Sequence, residues 1–160
     1  MKIIYFLLLL TFTLNASANE RMRFPRSPDL SITPGALCST PTEFRYKERI
    51  AYCARDVSGW QKELVFISYR KLGYSLSGER SEYKVDHFIP LCVGGSNEMS
   101  NLWPQYYTVS EKTDVMEQLA CDVLVKGKIS QRDVIDLIVA VKLDLEKLPE
   151  AMKVLRRLNR

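Results

Sequence analysis

The stretch 83–105 constrains the fold more than any other part of this chain. Tyr83-Lys84-Val85-Asp86-His87-Phe88-Ile89 is short and apolar enough to be a strand, and it carries the single histidine of the sequence. Pro90 and then Gly94-Gly95-Ser96-Asn97 interrupt it as a turn or loop. Asn101-Leu102-Trp103-Pro104-Gln105 opens a second short apolar piece. Two short strands on either side of one loop predict an antiparallel hairpin. A helix is expected to follow from about Ser110, with Val115, Met116, Leu119, Val123 and Leu124 on its apolar face. Glu111 and Asp114 in its first turn complement the helix N-terminus, and Gly127 ends it.

The rest of the chain reads as helices around this unit. Tyr46, Ile50 and Cys53 have helical spacing and predict a short helix over 44–55. Ser58 is a plausible N-cap for a helix over 59–72, with Gly73 just past its end. Ser130-Gln131-Arg132-Asp133 resembles a capping box, opening a helix to about 147, and Pro149 starts a last one through 158. Pro25, Pro28, Pro34 and Pro41 exclude a helix over 19–41, leaving an N-terminal arm partly ordered near Cys38. The expected fold class is α+β: a small antiparallel hairpin plus helix embedded in a mostly helical single domain over 42–160, with its motif core at 83–126.

Residues 1–18 read as a secretory leader, with Lys2, an apolar run over 3–14 and Ala16-Ser17-Ala18 as the cleavage signal. The protein is therefore expected in the periplasm or outside the cell. Cys38, Cys53, Cys92 and Cys121 all follow the leader, and an even count in an exported chain suggests disulfides. Four cysteines allow three connectivities. Pairing them in order gives Cys38–Cys53 and Cys92–Cys121. No Cys-x-x-Cys pair argues for structural zinc. The net charge of +4 permits a polyanionic partner without demanding one.

Asp86-His87, the Gly94-Gly95-Ser96-Asn97 turn and the Asn101-Leu102-Trp103-Pro104-Gln105 block together resemble the HNH endonucleases, which have a ββα-metal active site. The likeness is closest to a small secreted bacterial branch with an Asp-His-x-Ile-Pro-Leu run and an Asn-Leu-Trp-Pro-Gln block. The resemblance implies that His87 is the general base and Asp86 a metal ligand. Asn101 matches the family's middle Asn, which either holds the loop that orients the base or binds the metal. The family's last His falls at the start of the helix, where this chain has Ser110 followed by Glu111. Glu111 is the expected replacement ligand, with Asp114 and Glu117 further along the same helix as candidates. Oxygen ligation favours magnesium or manganese over zinc. Arg80, Lys84 and Lys112 flank the motif as candidate phosphate contacts.

Each of these residues has a plainer reading. A lone His in an apolar run often packs as a hydrogen-bonded core side chain. Trp103 reads as a core aromatic, first-turn acids are usually solvated, and isolated basic residues are usually surface. The expected function is a metal-dependent endonuclease acting on DNA, with RNA as the other substrate, and of low sequence specificity. The alternative is a catalytically inactive nuclease-like module that binds nucleic acid or a protein partner, supported by the missing second His.

Overall fold

The computed structural model describes residues 24–76 and 80–160. The leader expected over 1–18 lies outside the described residues. The described residues form one mixed α+β domain with four helices and two separate two-stranded antiparallel hairpins. β1 (Glu43–Arg45) pairs with β2 (Ile50–Tyr52), and β3 (Tyr83–His87) pairs with β4 (Leu102–Tyr106). The helices are α1 (Gly59–Lys71), α2 (Tyr107–Val125), α3 (Gln131–Leu143) and α4 (Leu148–Asn159).

β3 and β4 are in register from Tyr83 opposite Tyr106 to His87 opposite Leu102. Nearly every residue of this hairpin is buried. α1 packs Val65, Phe66 and Tyr69 with Tyr83, Val85, Leu102 and Trp103 in one hydrophobic cluster. A second cluster joins α2, α3 and α4 through Met116, Val123, Ile138 and Leu155, and it takes in Ile89 and Val93 from the loop between β3 and β4. The motif hairpin and its loop thus link two cores. Trp103 is fully buried, in keeping with its reading as a core aromatic.

The helix starts follow local chemistry. Ser58 Oγ accepts from Gln61 N and Gln61 Oε1 accepts from Ser58 N, a complete capping box on α1. Ser130 Oγ accepts from Asp133 N at the start of α3, and Pro149 sits in the first turn of α4. α2 begins at Tyr107, a turn earlier than expected, because β4 runs straight into it. Gln105 Nε2 donates to Thr113 Oγ1 across that junction. α3 stops at Leu143, short of the expected 147, and Asp144 caps a separate turn by accepting from Glu146 N.

The helix expected over 44–55 is not formed; β1 and β2 occupy that stretch. Phe44, Tyr46, Ile50 and Tyr52 also alternate as strand residues, and β propensity prevails where the ends are clamped. Cys53 is disulfide-bonded to Cys38, and Thr42 N and Oγ1 both donate to Tyr52 O. The Pro-rich arm is ordered beyond its expected extent. Asp29 accepts from Tyr74 Oη, Thr33 Oγ1 donates to Leu102 O, and Leu37 bridges Gly95 beside the motif loop. Both expected disulfides are present: Cys38–Cys53 and Cys92–Cys121.

Candidate functional site

The site begins where β3 ends. At His87 the chain leaves the ladder, and Phe88 N donates to Asn101 O at 2.7 Å. Asn101 is fully buried and spends its side chain on backbone. Its Oδ1 accepts from Ile89 N at 2.8 Å and Ala36 N at 3.4 Å, and its Nδ2 donates to Ile89 O at 2.9 Å and Ser96 O at 2.8 Å. Both amide hydrogens and both lone pairs are used. Of the two roles open to Asn101, this geometry is the loop-holding one. Gly95 is required at the same spot, since a Cβ there would stand 1.8 Å from Ile89 O. Gly94 takes φ +96°, which suits glycine at the turn.

Beneath the loop lies a cluster of charges. Lys142 of α3 has a side chain with no exposure. Its Nζ donates to Asp86 Oδ2 at 2.9 Å and to His87 O at 2.5 Å. Nζ also lies 2.7 Å from Glu117 Oε1. That contact is an ion pair off the hydrogen-bonding direction, so Oε1 remains a buried acceptor without a hydrogen bond. Lys84 Nζ reaches Asp114 at 2.6 Å and stands 3.5 Å from Asp86 Oδ1. Burial pushes the Asp86 carboxyl up, but Lys142 and Lys84 outweigh it and hold the group below its ordinary range. For Glu117 burial wins over Lys142, with Asp86 and Asp114 adding to it, and its carboxyl is pushed up to about 7. Burial works against the Lys142 ammonium, yet Asp86 and Glu117 keep its pKa raised. Three carboxylates share two lysines, and of the two that Lys142 holds, Glu117 is the one whose pKa is raised.

His87 is buried to 3% exposure. Burial is the main cause that lowers its pKa, opposed by the Asn97 hydrogen bond and reinforced by Arg55, so the imidazole is neutral at neutral pH. Asn97 Nδ2 donates to Ala54 O at 2.7 Å. This fixes Asn97 Oδ1 as the atom 3.1 Å from His87 Nε2, and Nε2 must then carry the proton. The basic lone pair is on Nδ1, which has no protein partner among the described residues. Asp86, His87 and Glu117 line one cleft of about 390 Å³, with Arg45, Arg55 and Lys84 contributing its basic side chains.

The structure brings His87, Asp86 and Lys84 together with the helix candidates Asp114 and Glu117 at the cleft, and leaves Glu111, Arg80 and Lys112 outside it. Glu111 is exposed on α2 and does not line the cleft; Glu117, further along the same helix, does. Ser110 faces inward, where its Oγ donates to Tyr107 O. Arg80 lies over the Phe66 ring at 3.9 Å from its centroid and donates to Tyr83 O, outside the cleft. Lys112 is exposed and also lies outside it. Cys92 and Cys121 form the disulfide at the cleft edge.

Lys142, Asn97, Arg45, Tyr52 and Arg55 were not legible as site residues. Lys142 reads as an ordinary last-turn lysine complementing the helix C-terminus, and Asn97 as a turn residue. The helical reading of 44–55 hid the other three.

Among the described residues no three His, Cys, Asp or Glu side chains group as ligands for a metal ion. The donor set fits a hard ion that keeps several waters and takes one or two carboxylates. Asp86 and Glu117 are the two cleft carboxylates that could hold such an ion, and the Lys142 ammonium contacts both. Burial holds the Glu117 pKa up even with the Lys142 ammonium 2.7 Å from its Oε1. Compared with protein-family models, with curated proteins and with solved structures, the chain matches none.

Proposed function

We propose that the chain is an exported, metal-assisted endonuclease of the HNH kind, hydrolysing phosphodiester bonds of DNA, and of RNA as a second substrate, with little sequence preference. The observation that carries this reading is the neutral His87. Its Nε2–H is held by Asn97 and its Nδ1 is left basic, in a cleft that also presents Asp86 and Glu117. Such an imidazole can take a proton from a water molecule as it attacks phosphorus. Asn101 and Gly95 keep the loop that sets this geometry. A divalent ion, magnesium or manganese rather than zinc, would be held by Asp86 and Glu117, and it would supply positive charge to the scissile phosphate and the departing oxygen. Lys142 behind the two carboxylates orients them. Export rests on the leader reading, and the two disulfides fit an oxidising compartment. No helix among the described residues is long and apolar enough to cross a membrane.

One observation favours the second reading, a non-catalytic nucleic-acid-binding module: the Lys142 ammonium already stands between Asp86 and Glu117. Supercoiled-plasmid nicking by the purified mature protein separates the two. The expected result is nicking with magnesium or manganese and none with chelator, and loss of roughly 10²–10⁴ in rate for His87→Ala. Full activity in His87→Ala, or no nicking with magnesium, manganese or zinc, would remove the enzyme reading.

A further inference from the structure

Three basic side chains line the cleft, and two of them are occupied. Glu43 holds Arg45, and Asp114 and Asp86 hold Lys84. Arg55 is exposed and has no carboxylate partner among the described residues. Its backbone is nonetheless tightly placed. Cys53 beside it is tied to Cys38, and Ala54 O accepts from the same Asn97 amide that orients His87. The backbone that carries this free guanidinium is therefore fixed relative to the imidazole, and the side chain lines the same cleft. Further along the same wall, the Arg45 guanidinium lies 3.2 Å above the centroid of the Tyr52 ring, and both side chains line the cleft. A guanidinium layered on an aromatic ring is a flat platform of the kind on which an unpaired base stacks. Bases paired within a duplex are already stacked and cannot use such a platform.

We infer that the β1–β2 hairpin is the strand-binding wall of the cleft, with Arg55 receiving a phosphate beside His87 and the Arg45–Tyr52 stack receiving an adjacent unpaired base. The ligand class is single-stranded or locally unpaired nucleic acid. The inference rests on the nuclease reading for its substrate, but binding tests it without cleavage. Fluorescence anisotropy of a labelled twelve-nucleotide single strand, and of the same sequence as a duplex, is measured on the full mature protein with chelator present. The single strand is expected to bind more tightly than the duplex. Arg55→Gln is expected to weaken single-strand binding by about tenfold, with Arg55→Lys between it and the wild type. Arg45→Gln and Tyr52→Leu are expected to lose the preference for the single strand. Arg132→Gln, which removes an exposed charge on α3 away from the cleft, is the control. Urea midpoints of all variants exclude misfolding.

Equal affinities of Arg55→Gln and Arg132→Gln would overturn the inference, as would a duplex bound as tightly as the single strand. Plasmid nicking by the wild type, together with unchanged binding in Arg55→Gln, would sink the wall and leave the nuclease reading standing. Binding that depends on Arg55 in a protein that never nicks would sink the nuclease reading and support the wall.

Discussion

The two hairpins are the same element built by different physics. β3–β4 has five-residue strands buried on both faces between α1 and the α2–α4 core. Its register is set by the side chains it must bury. β1–β2 has three-residue strands in which only Ile50 is buried. Its turn places two non-glycine residues, Tyr46 at φ 62° and Arg49 at φ 54°, in the left-handed region. A disulfide, the Thr42 hydrogen bonds and cross-strand Arg–aromatic contacts hold it. An isolated two-stranded hairpin is marginal in water, so the covalent tie does for β1–β2 what burial does for β3–β4. The cleft lies between them. The buried hairpin presents the groups that titrate, Asp86 and His87, and the tethered one presents permanent cations, Arg45 and Arg55. Low-dielectric burial is what moves a pKa, whereas an exposed guanidinium keeps its charge anywhere.

Four tests bear on this contrast. Lys142→Met should have the largest effect. It leaves Asp86 and Glu117 buried without their cation and is expected to cost about 3–5 kcal/mol in urea unfolding. Adding Glu117→Gln should restore part of that loss. A single variant with wild-type stability would mean that the charges under β3 are not mutually dependent. Asn101→Asp should come next, at about 3 kcal/mol, because a carboxylate cannot donate to Ile89 O and Ser96 O and would face both carbonyls. Retained stability and activity would instead favour a metal-binding role for this residue.

Paired Cys38→Ser and Cys53→Ser should cost about 2–4 kcal/mol. Most of the local disorder should fall on β1–β2, read by amide exchange over 43–55, while β3–β4 amides stay protected. Uniform loss of protection would break the comparison. Arg49→Gly should have the smallest effect, a gain of under about 1 kcal/mol, since glycine relieves the left-handed strain at an exposed turn. A loss of stability there would show that the Arg49–Phe44 contact outweighs the backbone term.

Much of the buried half of the molecule was legible in the sequence. The strand–loop–strand of 83–105, the capping residues Ser58 and Ser130, and the Gly94-Gly95 turn each carry a local signature, and both disulfides follow the order of the cysteines. His87 and Asp86 were legible because they are adjacent at a strand end. Of the helix candidates, Glu117 lines the cleft and Glu111 does not, because residues six apart on a helix of 3.6 residues per turn face different sides. The 44–55 stretch was misread because Tyr46, Ile50 and Cys53 satisfy a helical spacing while Phe44, Tyr46, Ile50 and Tyr52 satisfy a strand one.

By itself the sequence determined the motif hairpin, the caps at Ser58 and Ser130 and the cysteine pairs, all of which act within a few residues or through covalent bonds. Only the tertiary structure decided the groups that meet across the chain. Lys142 reaches Asp86 over 56 residues, Asn97 fastens Ala54 over 43, and Gln131 Nε2 donates to Val93 O over 38. Burial then set the charge states there, lowering the pKa of His87 and raising that of Glu117. Desolvation and ion pairing depend on distances in space, and these are fixed only when α1–α4 close around β3–β4.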